Sequence, residues 1–459
     1  LPSTGHGGTS GRRGGHLKTI LNPTRLIPLA FLIGVGIGTA LLMLPVARAE
    51  AGQGAPFITA LFTATSAFCV TGLTVVDTAS YWSPTGHVLI LLLAQIGGLG
   101  IMTGATLIGL LITGRSRLSS RILAGAELRS LELGDVRAVV RVVLVATITI
   151  EGLLALVLAL DFHFRHGLGA MDAVWQGLFH AVSAWNNAGF TLAPVTGAAI
   201  AGDMVLLLCL SLGVILGGFG FPVIHELRKE WRTPAHWSIH SKLTLAGSAI
   251  LLAFGTLAIL LAETRNPATL GDAGFGSALA QSFFHSVMTR SGGFATLDMT
   301  ALSPETLVLS WGLMMVGGGS ASTAGGIKVT TFFLLGFIAL AEVRGHRDAN
   351  IFRRRIPPET QRLALLIALV AVGTVALGIW LLLLVSSQPV AFVVFEAISA
   401  FATVGLSTGV SAAMPAEGQA ILALLMYVGR VGTISVAAAL AAHYGQPQFR
   451  YPEERPIIG

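Results

Sequence analysis

The residues best placed to do chemistry in this 459-residue chain are four glycines, Gly72, Gly189, Gly293 and Gly405. Each follows a phenylalanine by ten residues (Phe62, Phe179, Phe283 and Phe395) and precedes leucine or phenylalanine, in the windows FTATSAFCVTGL, FHAVSAWNNAGF, FFHSVMTRSGGF and FEAISAFATVGL. Glycine admits backbone conformations closed to other residues, so the carbonyls just before it can turn onto a common axis. Converging carbonyls replace the hydration shell of a cation, which is the chemistry of a selectivity filter. The candidate filter residues are Val70, Thr71 and Gly72; Asn187, Ala188 and Gly189; Ser291, Gly292 and Gly293; Thr403, Val404 and Gly405. One such spacing carries little in a chain with 56 glycines. Four of them, each between long apolar segments, constitute a repeat.

A second set of residues reads as a gate. Glycines recur after each window, at Gly97, Gly98 and Gly100, at Gly217, Gly218 and Gly220, and at Gly429 and Gly432, where small residues let helices pack closely. The third repeat differs. Its segment VGGGSASTAGGIK, Val316 to Lys328, splits a 36-residue apolar stretch and has no run of helix formers. Unwound backbone at membrane depth is tolerated only where it is buried in protein or faces water. Gly317, Gly318, Gly319, Ser320, Ala321, Ser322, Thr323, Ala324, Gly325 and Gly326 are therefore expected to form an intramembrane loop below the filter that blocks or opens the conduit, with Lys328 ending it. Arg430, inside an apolar stretch, either opposes a second cation or hydrogen-bonds the loop carbonyls. Arg290 is expected to brace the third filter segment through Asp298 or a neighbouring half-helix; Glu151 and Glu396 either partner it or brace backbone amides.

These residues need elements to hold them. Hydrophobic residues make up 53% of the chain, charged residues 11%, and mean hydropathy is +0.78, which places it in a membrane. Eight stretches reach the roughly 20 residues that cross a bilayer, near 26–47, 87–113, 139–160, 204–224, 243–262, 306–341, 363–385 and 418–442. Four half-helices between them, near 55–70, 172–187, 276–290 and 391–403, are too short to span and too apolar for ordinary loops. They read as re-entrant. A half-helix ending at the axis brings the negative end of its dipole toward a cation there. The fold class is an all-α membrane protein of four M1-P-M2 repeats (span, re-entrant half-helix, filter loop, span) around one central pore. The repeats fall at 22–114, 115–230, 231–350 and 351–445, between a disordered N-terminal tail, 1–21, and a C-terminal tail, 446–459; the stretch from Leu26 opens a retained span.

Basic residues cluster in alternate connections: Arg12 to Arg25, Arg115 to Arg141, Arg228 to Lys242, Arg344 to Arg362, and Arg450 with Arg455. Only Arg48, Arg165 and Arg265 fall on the other side, where acidic residues prevail. The positive-inside rule puts both termini in the cytoplasm. That topology explains most of the formal charge of +6, so no nucleic-acid partner is implied. Cys69 and Cys209 read as packing residues. His180 and His285 lack a metal-ligand spacing, and no Walker A sequence is present, so the chain is not expected to be an enzyme or to carry its own nucleotide site. A secondary transporter with broken helices is disfavoured by the shared orientation of the four repeats, and a non-conducting membrane sensor is the remaining alternative.

The four windows, GGGSASTAGGIK, YVGRVG and the ending YPEERPIIG together resemble the Trk/Ktr/HKT superfamily of potassium transporters, most closely its bacterial KtrB-type membrane subunits. The resemblance runs from about Asn22 to Gly459. It implies potassium uptake across the bacterial cytoplasmic (inner) membrane, K+ as the transported ion with Na+ as a second possibility, and gating by 317–326 and Arg430. It further implies a homodimer on a cytoplasmic ring of nucleotide-binding RCK/KTN (KtrA-like) subunits, with the C-terminal tail at the dimer interface. Serine at the first filter position accompanies sodium permeability in plant relatives. Gly72 there implies potassium. Ser291-Gly292-Gly293 departs from the family's pattern, in which many relatives carry threonine and alanine before the glycine; the carbonyls still coordinate, and the departure is expected to loosen the third filter wall.

Overall fold

The computed structural model describes residues 23–50, 52–120, 136–192, 202–346 and 348–442; both expected tails and the C-terminal dimer contact lie outside them. One order of elements recurs along the chain: a long helix, a short buried helix, a non-helical loop, then a second long or broken helix. The first set is α1 (Pro23–Leu42), α2 (Phe57–Phe68) and α3 (Pro84–Ser120). The second is α4 (Val136–Phe164), α5 (Ala170–Trp185), α6 (Met204–Phe219) and α7 (Phe221–Glu230). The third is α8 (Ile239–Glu263), α9 (Phe275–Met288), α10 (Pro304–Met315) and α11 (Val329–Val343). The fourth is α12 (Pro358–Val385), α13 (Val390–Phe401) and α14 (Ala416–Ala442).

Helix starts follow from local chemistry. Asp203, Ser238 and Ser303 each accept first-turn amides from their side chains, at α6, α8 and α10, and proline stands in the first turn of α10 and α12. Val140–Phe164 in α4, together with α8 and α12, is long and apolar enough to cross a bilayer. Leu153, Leu261, Leu369 and Trp380 on these helices are exposed, an arrangement that suits lipid and not water.

Two expectations about elements are corrected. The stretch 204–224 is not one continuous helix: α6 and α7 meet at 95°. Gly220 sits between them at φ +85°, and Pro222 fits the first turn of α7, so the break is built into the sequence. Nor is every element helical. Asn350–Ile351 (β1) pairs antiparallel with Arg354–Arg355 (β2) after α11, making a small hairpin in the connection to α12.

The short helices lie innermost. Phe62, Phe179 and Phe395 are fully buried, as the ten-residue spacing leads one to expect, but in α9 the fully buried ring is Phe284, nine residues before Gly293, with Phe283 half-buried. One apolar core joins α2 and α3 to α13 and α14, so the first and last repeats meet. The Tyr427 hydroxyl of α14 donates to Pro28 O of α1 at 2.8 Å.

Candidate functional site

Each short helix ends in a loop of the same backbone shape. Gly72, Gly189, Gly293 and Gly405 have φ of +90°, +69°, +78° and +94°. The residue two before each glycine is left-handed as well, although none is glycine: Val70 (+56°), Asn187 (+59°), Ser291 (+72°) and Thr403 (+47°). Such conformations cost about 1–3 kcal/mol each and persist only where neighbours hold them. A serine six residues before the glycine does this in three repeats. Thr71 N–H donates to Ser66 O (2.7 Å) and Gly72 N–H to Ser66 Oγ (3.1 Å). In the fourth repeat, Val404 N–H donates to Ser399 O (2.9 Å) and Gly405 N–H to Ser399 Oγ (3.2 Å). Ser183 receives Ala188 N–H (2.7 Å) on its carbonyl, and its hydroxyl donates to Phe190 O (2.8 Å). This serine was readable in SA of three windows.

The four glycines meet in cyclic order. A Cβ placed on Gly72 would overlap Ala188 O and stand 3.1 Å from Gly189 Cα. On Gly189 it would stand 2.8 Å from Gly293 Cα and 3.2 Å from Gly292 O. On Gly293 it would stand 3.0 Å from Val404 O, and on Gly405 it would overlap Thr71 O, 3.0 Å from Gly293 Cα. The cycle is closed. The carbonyls of Thr71, Ala188, Gly292 and Val404 thus alternate with the four glycines, and no side chain fits at a glycine without displacing a neighbour's backbone.

The third repeat has Val287 where the others have serine, and its loop is held differently. Ser291 Oγ donates to Thr403 O at 2.6 Å and accepts Gly325 N–H at 3.1 Å, tying two of the glycine loops to the 316–328 loop. Against the expected loosening of this wall stand the two bonds of this hydroxyl.

That loop is irregular backbone packed under the glycines. Gly319 N–H donates to Gly218 O (2.7 Å) and Thr323 N–H to Gly217 O (3.3 Å), so the loop docks onto the break between α6 and α7. Thr323 Oγ1 donates to Asn187 Oδ1 at 2.9 Å. Gly317 N–H returns to Ile327 O and Val329 N–H to Gly318 O, both at 3.0 Å, closing the loop on itself. Ser322, Thr323 and Ala324 are fully buried, and Ala321 is left-handed. Ser320 Oγ lies 3.1 Å from Thr330 Oγ1.

Three cationic side chains converge on its carbonyls. Arg430 Nη1 donates to Thr323 O, Lys328 Nζ to Ala324 O, and Arg290 Nη2 to Gly317 O (2.9 Å). Arg290 also donates to Ser248 O and Oγ, each at 3.3 Å. Among the described residues none of the three has a carboxylate partner, so Arg290 does not pair with Asp298, and of the two alternatives for the glutamates the pairing with Arg290 is not the one formed. Glu151 instead accepts from Gln95 (3.2 Å) and Asn186 (3.1 Å), and Glu396 from Ser407 (2.5 Å), Thr408 N–H (2.8 Å) and Ser411 (2.7 Å). Each carboxylate fastens the foot of a short helix to its surroundings.

The family model for TrkH, a cation transport protein, matches residues 31–450. The chain belongs to this TrkH cation transport family. Two curated relatives match it end to end: the Ktr system potassium uptake protein B of Bacillus subtilis, 36% identical over 95% of this chain and 97% of the relative, and the potassium/sodium uptake protein NtpJ of Enterococcus hirae, 35% identical over 96% and 98%. The crystal structure of the potassium transporter TrkH from Vibrio parahaemolyticus superimposes with a TM-score of 0.70 at 14% identity, covering 95% of this chain and 85% of that one, and so shares its fold. In this TrkH-family chain Cys69 is a buried free thiol and Cys209 a partly buried one. His180 Nδ1 lies 2.8 Å from Gln176 O, and its Nε2 accepts Leu192 N–H; His285 Nε2 lies 3.2 Å from Ser310 Oγ. Both histidines are structural hydrogen-bonding groups.

Proposed function

We propose that this chain is the pore-forming membrane subunit of a potassium uptake system, conducting K+ into the cell through one central pore walled by four M1-P-M2 repeats. The observation that carries this reading is the closed cycle of Gly72, Gly189, Gly293 and Gly405, with the Thr71, Ala188, Gly292 and Val404 carbonyls between them. A dehydrated cation at their centre would meet oxygens from every repeat. The membrane potential supplies the driving force, about 2.3 kcal/mol per charge at 100 mV. Potassium is the principal ion because Gly72, not serine, holds the first filter position; sodium is the secondary one, as in the name of the Enterococcus relative.

The 316–328 loop is the gate, in its closed position. It lies across the inner side of the filter, and Arg290, Lys328 and Arg430 place positive charge where a second cation would pass. Both termini are cytoplasmic. The name of the Bacillus relative, protein B of a Ktr system, supports further components of such a system as partners; a homodimer on a cytoplasmic ring of nucleotide-binding RCK subunits is the form that the family resemblance implies.

The test is growth of a potassium-uptake-deficient bacterium on low potassium. The unaltered chain is expected to restore growth, while Gly72→Ser and Gly405→Ser are expected to lower K+ uptake and admit sodium. Failure of the wild type to rescue, or rescue by both variants with selectivity unchanged, would overturn the assignment.

A further inference from the structure

A cluster of ionisable side chains at one end of α4 and α6 takes no part in the proposed conduction. Asp161 lies in the last turn of α4, Arg165 and His166 follow that helix, and Asp203 caps α6. Each carboxylate has one oxygen engaged and one turned toward the same imidazole. Asp203 Oδ1 accepts from the amides of Val205 (2.8 Å) and Leu206 (3.2 Å) and from Arg165 Nη1 (2.9 Å). Asp161 Oδ1 lies 3.5 Å from the same Arg165 nitrogen. The other oxygens face His166 Nε2, Asp203 Oδ2 at 3.0 Å and Asp161 Oδ2 at 3.7 Å. Asp161 is 94% buried by its 6% exposure, yet its Oδ2 makes no hydrogen bond.

The spacing is that of ligands around a small dication. Asp161, His166 and Asp203 offer three donor atoms that all lie within 4.8 Å of one another. Donors bound tetrahedrally to zinc at about 2.0–2.2 Å stand about 3.3–3.5 Å apart; the two measured separations bracket that range. Charge favours the same occupant. Two largely buried carboxylates face one guanidinium and the His166 imidazole, which is hydrogen-bonded to Asp203 Oδ2; with that imidazole neutral, as a metal ligand must be, a surplus negative charge remains that is costly unless a cation joins it. An imidazole donor selects a borderline metal such as Zn2+ over Mg2+ or Ca2+, which prefer all-oxygen sets. His166 is partly exposed, so an ion can reach the site from water and keep a water as fourth ligand.

We infer that Asp161, His166 and Asp203 form a zinc-class metal site that staples the ends of α4 and α6. The site faces the cell exterior under the topology proposed above, but metal binding does not depend on conduction or on that topology. The experiment uses the full chain, purified in detergent, stripped with chelator and titrated with zinc chloride. One Zn2+ per chain is expected, with only nitrogen and oxygen neighbours near 2.0–2.2 Å by X-ray absorption, and a rise in thermal unfolding temperature on binding. His166→Ala and Asp161→Asn are each expected to weaken binding at least tenfold and to abolish the thermal shift. If His166→Ala does not elute as a single species, His166→Gln takes its place. Absence of saturable binding, binding unchanged in these variants, or sulfur in the coordination shell would each overturn the site and leave an ion-pair cluster only. Potassium uptake by the same preparations tests the pore reading separately.

Discussion

At the scale of single residues, Ser291 has the largest consequence for its size. Its hydroxyl joins Thr403 O in the proposed fourth filter segment to Gly325 N–H in the proposed gate loop, two places far apart in sequence. Each bond is worth about 0.5–1.5 kcal/mol. If the loop must leave for ions to pass, removing them favours the open arrangement. Ser291→Ala is therefore expected to raise rubidium uptake into proteoliposomes roughly tenfold, since about 1.4 kcal/mol is a tenfold change in an equilibrium, whereas Ser291→Thr keeps the hydroxyl and should behave as wild type. Equal flux in all three proteins would show that the hydroxyl does not hold the gate. The departure of Ser291-Gly292-Gly293 from the family's pattern suggests a looser wall, and the partners of the hydroxyl are not readable in those three residues. Arg290 gives the same lesson: its partners are Ser248 and Gly317, main-chain and hydroxyl groups that no charge pattern reveals.

At the scale of elements, the 316–328 loop was legible as a loop because thirteen residues rich in Gly, Ser and Thr cannot compete with Leu-rich neighbours for helix. The break at Gly220 was less legible, since a glycine and a proline inside an apolar run fit a packed span as well as a kinked one. The two features belong together: the carbonyls of Gly217 and Gly218 at the end of α6 receive the Thr323 and Gly319 amides. Shortening the loop by deleting 320–324 is expected to raise K+ flux while K+ over Na+ preference stays, because the glycine cycle is left in place. Unchanged flux in a well-folded deletion would remove the loop from gating. Packing of α14 on α13 leaves no such latitude. A Cβ on Gly429 would overlap Phe401 O, a backbone atom that cannot swing aside. Gly429→Ala is expected to reduce the yield of monodisperse protein severalfold in size-exclusion chromatography, and a normal profile would show that α14 can shift.

At the scale of the whole molecule, the proposed homodimer predicts a protein mass by light scattering of twice the 47.7 kDa chain in mild detergent. A single-chain mass across the accessible concentrations would count against it. Composition and local pattern by themselves determined the membrane class, the four glycine windows, the unwound third repeat and the position of Arg430, because each is a property of a short stretch: enough apolar residues, a glycine at a fixed distance, a run without helix formers. The tertiary structure alone decided that the windows close into a cycle, that α14 returns to α1, that Phe284 and not Phe283 fills the third core position, and that Ser291 bridges filter and loop. Those facts depend on contacts between residues as distant as Pro28 and Tyr427. A hydrogen bond across such a span leaves no periodic trace in a single sequence, since it requires only that two groups of ordinary type arrive together once the chain has packed.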